Sequence, residues 1–157
     1  MNVLLGSINH NMDSKYRIRI PSKFKSELTE GNQKLHFVQL SENCIAVMND
    51  TGLKARFGDF ADVDLTDSDT LEALRDFSEK VEDIEEDGQG RITLSKTVRD
   101  HIGADKDNTE LVTIGMIGFI EIWTVKQRTA YKSQKSAAEV QEKLSKAKKK
   151  AAAEQSL

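Results

Sequence analysis

Asp13-Ser14-Lys15-Tyr16-Arg17-Ile18-Arg19-Ile20 and Asp87-Gly88-Gln89-Gly90-Arg91-Ile92-Thr93-Leu94 are two versions of one phrase, set 74 positions apart in a chain of 157 residues. Asp, Arg and the following Ile coincide, and Ile20 falls on Leu94. The same offset places Phe24 on Val98 and Leu28 on Ile102, and an offset of 75 places Ile45 and Val47 on Ile120 and Ile122. One residue added in a loop accounts for the change. Repetition at a fixed spacing means that the fold uses one supersecondary unit twice.

Each copy reads as the same series of elements. A short strand runs to the Asp, and a four-residue turn then reverses the chain. An alternating strand follows, with Ile18 and Ile20 in the first copy and Ile92 and Leu94 in the second. Ser22 or Ser95 is placed to cap a short helix. Phe24 and Leu28, or Val98 and Ile102, share one face of that helix at i, i+4 spacing. Two more strands complete each copy, Leu35 to Leu40 with Cys44 to Met48, and Glu110 to Ile114 with Phe119 to Trp123. A unit of roughly forty residues cannot bury both faces of its own sheet. Two copies in one chain can pair and share a barrel-like core, which is the architecture expected.

The copies set the organisation: a first repeat at 1–48, an acidic helical connector at 49–81, a second repeat at 82–124 and a basic tail at 125–157. In the connector, Asp69 and Glu72 have capping-box spacing ahead of Leu71, Leu74 and Phe77, which predicts a helix from about Asp69 to Val81. The tail has helix-forming composition and a thin apolar stripe, and is expected to fray into disorder near Lys148, Lys149 and Lys150.

The net charge of −3 conceals a strong segregation. Lys15, Arg17, Arg19, Lys23 and Lys25 face a single acid, Asp13, within residues 1–25. Between Asp59 and Asp87 there are thirteen acids and only two basic residues, Arg75 and Lys80. From Lys126 onward nine basic residues meet three acids. A basic stripe on an acidic body is compatible with a polyanion partner. No apolar run approaches the roughly 20 residues of a membrane span, and no secretory leader is legible at Val3-Leu4-Leu5, so a cytoplasmic location is expected.

The doubled Asp-x-x-x-Arg phrase resembles the MraZ family, within the wider group of AbrB-type swapped-hairpin proteins. Arg17-Ile18-Arg19-Ile20-Pro21-Ser22-Lys23-Phe24 is similar to the family's strand-to-helix passage, and Ile120-Glu121-Ile122-Trp123 to the end of its second copy. Phe77-Ser78 is similar to a pair that precedes the second motif. The likeness covers roughly residues 1–127. It departs at Tyr16, where the family commonly has Gly, at Ser95 in place of Pro, and in a shorter connector. A turn residue with positive φ tolerates Gly far better than Tyr, so the first turn is expected to differ in shape.

The resemblance implies an α+β, mainly β fold in which two tandem AbrB-type swapped-hairpin halves form a pseudo-symmetric barrel with short helices. It implies a sequence-specific DNA-binding transcriptional regulator at the promoter of the division and cell-wall gene cluster. The partners implied are double-stranded DNA with short direct repeats and further copies of the chain in a ring-like homo-oligomer, located at the nucleoid. The DNA-contacting candidates are Lys15, Arg17, Arg19, Lys23 and Arg91, with Asp13 and Asp87 orienting the turns. Arg can donate two hydrogen bonds to guanine O6 and N7, whereas Lys mostly meets phosphate.

The residues alone admit a plainer reading, in which Asp13 with Arg17 and Asp87 with Arg91 are ion pairs that close a turn. Exposed pairs contribute only about 0–1 kcal/mol. Glu85, Glu86 and Asp87 beside Arg91 repel phosphate and weaken the second motif as a DNA contact. The tail reads first as a solvated helix and second as a phosphate contact. A rival class is an AbrB-type antitoxin-like module that binds both DNA and a protein, although such proteins usually carry one motif per chain. An enzyme is disfavoured: His10, His36 and His101 lack metal-ligand spacing, Cys44 lies in an apolar strand, and no phosphate-binding Gly loop is present. No metal, cofactor or small-molecule substrate is expected.

Overall fold

The computed structural model describes residues 3–135 and 137–155; positions 1, 2, 136, 156 and 157 of the expected 1–48 and 125–157 segments lie outside it. In chain order the first copy holds β1 (Ser7–Asn11), β2 (Arg17–Ile18), α1 (Ser22–Leu28), β3 (Leu35–Gln39) and β4 (Ile45–Asn49). The connector holds α2 (Asp50–Phe57), a 3₁₀ turn (Gly58–Asp62) and α3 (Ser68–Glu79). The second copy holds β5 (Val81–Asp83), β6 (Ile92–Thr93), α4 (Lys96–Ile102), β7 (Glu110–Gly115) and β8 (Ile120–Thr124). Two helices follow, α5 (Val125–Ser133) and α6 (Ala137–Gln155).

Six strands form one antiparallel sheet in the order β1-β7-β8-β4-β3-β5. The copies therefore exchange edge strands: β1 of the first pairs with β7 of the second, and β5 of the second pairs with β3 of the first. Strands β2 and β6 leave the sheet and pair only with each other, Arg17 opposite Thr93 and Ile18 opposite Ile92. The α+β class holds, but the expected pseudo-symmetric barrel is corrected to an open six-stranded sheet with a separate two-stranded ribbon. The reason lies in the lengths of β2 and β6. Each has two residues between an Asp-cornered turn and a helix start, too few for a ladder that would join the sheet edges. Pro21, which follows β2, also has no N–H to give to one.

The main core lies between sheet and ribbon. Ile18, Ile20, Ile92 and Leu94 of the ribbon and Phe24, Leu28, Val98 and Ile102 of α1 and α4 close over Phe37, Ile45, Val47, Leu111, Ile120 and Ile122 of the sheet. The opposite sheet face is also covered. Leu53 and Phe57 of α2 pack on Val38, Ala46 and Met48, and Tyr131 of α5 packs on Trp123 and Val112. Burial on both faces explains why four successive residues are buried in each of β3 and β4, His36 among them, where alternation would mark a one-sided sheet.

Several expectations shift. Pro21, not Ser22, stands at the N-cap of α1 and no side chain caps it, whereas Ser95 caps α4 by accepting the Val98 amide at 3.2 Å. The cap of the connector helix lies two residues ahead of the expected box: Asp67 caps it, accepting the Asp69 amide at 3.1 Å, and Val81 already belongs to β5. The tail does not dissolve at Lys148–Lys150; α6 runs on to Gln155 through an Ala-, Lys- and Glu-rich segment of high helix propensity.

Candidate nucleic-acid interface

Each Asp-cornered turn is tied by one carboxylate. The Asp13 amide donates to the Arg17 carbonyl at 2.9 Å, and the Tyr16 amide donates to the Asp13 carbonyl at 3.0 Å. Asp13 Oδ1 accepts the Lys15 and Arg17 amides, both at 2.9 Å, while Oδ2 accepts Arg17 Nε at 2.7 Å. Asp87 repeats every bond. Its Oδ1 accepts the Gln89 and Arg91 amides at 2.9 Å and its Oδ2 accepts Arg91 Nε at 2.8 Å. A short acceptor-only side chain at the first position of a turn can reach amides two and four residues on, which is why Asp stands at both corners.

Tyr16 was expected to reshape the first turn. Instead it adopts φ +62°, beside +75° for Gly90 at the matching position, and the two turns carry the same bonds. The left-handed conformation is costly for a side chain with a Cβ, and packing offsets it. The Arg99 guanidinium of α4 lies 3.7 Å from the Tyr16 ring centroid, and the Tyr16 carbonyl accepts the Leu94 amide at 2.9 Å.

The ribbon then brings the cations together. Continuing its register past Ile18 and Ile92 sets Arg19 opposite Arg91. Arg17, Arg19 and Arg91 line one recess of about 370 Å³ with His10, Asn11 and Asp13. Lys15 and Arg19 are exposed, and the side chains of Arg17 and Arg91 keep 24% and 26% of their surface accessible. Each Arg pairs with its Asp through Nε. Of the acids expected to spoil the second motif, Glu86 is paired with Lys25 at 2.7 Å. Lys23 does not join this group. A Cβ at Gly6 would stand 2.9 Å from its ammonium, which places it at the end of β1 remote from Asp13.

Arg99 carries no signal in the charge pattern, and Lys25 shows there only as one of the basic stripe. Each reaches from its own copy's helix to the other copy's turn, Arg99 to Tyr16 and Lys25 to Gly90 and Glu86. They are themselves 74 positions apart, so the repeat alignment contained the signal.

The turns titrate together with the fold. The Arg17 amide holds the Asp13 carboxyl below the ordinary carboxylate range. The Arg91 amide, helped by the Gln89 amide and the Arg91 side chain, holds Asp87 down to about 2. A depressed folded value means that the carboxylate stabilises the turn at all pH above its unfolded value, near 3.8, and loses this as pH falls toward 2. The expected result is an Asp87 carboxyl ¹³C titration with its midpoint near 2 in the native chain. A midpoint at the ordinary value would mean that the amides do not hold it.

Other titratable groups are engaged in structure. His36 is held between Asp83 (Nδ1, 2.9 Å) and Asp50 (Nε2, 2.7 Å), and His10 Nε2 meets Thr113 Oγ1 at 2.6 Å. Cys44 is fully buried, and burial pushes its thiol far above the range of a nucleophile. Among the described residues, no three His, Cys, Asp or Glu side chains are grouped to hold a metal ion, and no helix is long and apolar enough to cross a membrane.

Comparison with known proteins gives consistent matches. A family model described as "MraZ protein, putative antitoxin-like" matches residues 80–151. A protein of Corynebacterium diphtheriae named "Transcriptional regulator MraZ" is 32% identical over 136 residues, spanning 87% of this chain and 91% of its own length. A relative of the same name from Corynebacterium glutamicum strain R has the same identity and coverage. Another from Alkaliphilus metalliredigens is 30% identical over 129 residues, 82% of this chain and 86% of its own.

Proposed function

From the premise that this chain belongs to the MraZ family, we propose that it is a transcriptional regulator that binds double-stranded DNA through its two Asp-cornered turns. The observation that carries the reading is the shared recess, where Arg17 and Arg19 of one copy meet Arg91 of the other. Two copies of a turn presented side by side by a short ribbon suit a groove better than either turn alone. In this reading Arg17, Arg19 and Arg91 reach base edges or phosphates, Lys15 meets phosphate, and Asp13 and Asp87 orient the arginines. Lys23, at the far end of β1, is outside the contact set.

We read the halves, 1–48 and 82–124, as related by an approximate two-fold axis, with 49–81 as connector and 125–157 as tail. The strand order supports this, because exchanging β1, β3 and β4 for β5, β7 and β8 reverses the order and leaves it otherwise unchanged. On the family resemblance we propose that the DNA site lies among short direct repeats upstream of the division and cell-wall genes, and that the protein acts at the nucleoid as a homo-oligomer. Several protomers on repeated sites would gain affinity through multivalency. The antitoxin-like alternative draws on the family description, and a toxin that copurifies in fixed stoichiometry would favour it.

The test is fluorescence anisotropy with a duplex from upstream of the chain's own gene and a shuffled duplex of equal composition. Specific binding is expected to exceed binding to the shuffled duplex by about a thousandfold or more. Equal affinity for both contradicts the proposal.

A further inference from the structure

Helices α5 and α6 enclose a cleft of about 620 Å³ lined by Arg128, Tyr131, Lys132, Lys135, Val140, Lys143 and Leu144. Its floor is apolar and open, with Val140 44% and Leu144 55% exposed. Its rim is cationic. Arg128, Lys132 and Lys135 follow i, i+4, i+7 spacing, so they form one stripe about 10 Å long on α5 and its end. Arg128 lies over the Trp123 and Tyr131 rings and Lys135 over Tyr131, so their charges are held at the rim by aromatic faces. Lys135 lies close enough to Lys143 to hold its ammonium below the ordinary lysine range, although Glu139 stands nearby. Arg128 Nε is buried with no acceptor among the described residues. A cleft of this kind fits an acidic helical segment with an apolar anchor.

The chain carries such a segment. On α3, exposed Asp69, Glu72, Asp76 and Glu79 fall within about 80° of arc and run about 15 Å along the helix. Leu65, just ahead of them among acids, is 73% exposed. Within one protomer the two features stand at opposite ends of the same sheet face, since α3 packs near Val38 and Phe57 at the β3 end while α5 packs on Trp123 at the β7–β8 end. We propose that the α5–α6 cleft of one protomer receives the acidic α3 segment of a second copy, with Leu65 against Tyr131, Val140 and Leu144, and the α3 carboxylates on the lysine rim. The contact is head-to-tail, so it propagates until rotation closes a ring. It supplies an interface for the homo-oligomer in the proposed function, rests on that part of it alone, and is independent of DNA binding.

The experiment is sedimentation velocity on the full chain, with circular dichroism to check folding. Lys132→Glu/Lys135→Glu/Lys143→Glu leaves three carboxylates against Arg128 and makes the cleft acidic, and Asp69→Lys/Glu72→Lys/Asp76→Lys leaves three lysines against Glu79 and makes the α3 face basic. Each variant alone is expected to sediment as the protomer. Mixed in equal amounts they are expected to regain the wild-type mass, because each cleft then meets an α3 of opposite charge. Arg17→Ala is expected to assemble as the wild type does, which separates failure of this contact from failure of the DNA reading. A monomeric wild type, an unchanged mass in either variant, or loss of mass without recovery on mixing overturns the contact. Reduced DNA affinity in the cleft variant at unchanged mass would assign the lysine stripe to DNA instead.

Discussion

Arg17→Ala is expected to weaken binding to the upstream duplex by about 1–3 kcal/mol, or roughly 5- to 150-fold, while leaving the melting temperature nearly unchanged. The two halves of this expectation follow from different atoms. Affinity falls because the guanidinium is lost from the shared recess. The fold survives because the turn is held mainly through backbone amides. Asp13 still accepts the amides of residues 15 and 17 whatever side chain stands at 17, and only the Nε bond at 2.7 Å disappears. Arg17→Lys keeps the charge but loses the fork, so it should recover the salt-dependent part of the affinity and not the discrimination between duplexes. A variant that unfolds yet binds as tightly per folded molecule would make Arg17 a structural pair member. Anisotropy and thermal melts on the same samples decide the matter.

The second large effect concerns stability. Phe24 is completely buried and lies on α1 between ribbon and sheet. Phe24→Ala is expected to cost about 3–5 kcal/mol, since truncation loses the transfer energy of the ring and leaves a cavity. Against a typical domain stability of about 5–15 kcal/mol this is a large fraction. Val98→Ala, the matching change on α4, removes fewer atoms and should cost less. Urea titrations should show a lower midpoint at unchanged slope for both. Near-identical midpoints for wild type and Phe24→Ala would mean that α1 does not seal the core.

Much of this arrangement was legible because the repeat constrains it twice. Asp13 and Asp87 announced turns, and the alternation of Ile18 with Ile20 and of Ile92 with Leu94 announced the buried side of the ribbon. The i, i+4 pairs on α1 and α4 gave the helix faces. The open sheet was not legible, because pattern shows which residues are buried and not whether two sheet edges meet. That depends on β2 and β6 being two residues long. Tyr16 misled for a related reason. Its left-handed conformation is disfavoured locally, and the compensating Arg99 comes from the other copy, 83 positions away. Helix α2 went unread because its apolar residues show no helical periodicity, and its cap is Asn49, the last residue of β4. At the candidate site, Lys15, Arg17, Arg19 and Arg91 could be chosen from charge. The convergence of Arg17, Arg19 and Arg91 on one recess depends on the pairing of β2 with β6, and Lys23 lies apart from it beside Gly6.

Whether both turns meet DNA at once can be read by hydrogen–deuterium exchange of the full chain with and without the upstream duplex. DNA is expected to slow exchange in peptides spanning residues 13–19 and 87–93 together, with far smaller changes in 140–155. Protection confined to the tail, or to one turn without the other, would contradict joint contact by the two turns.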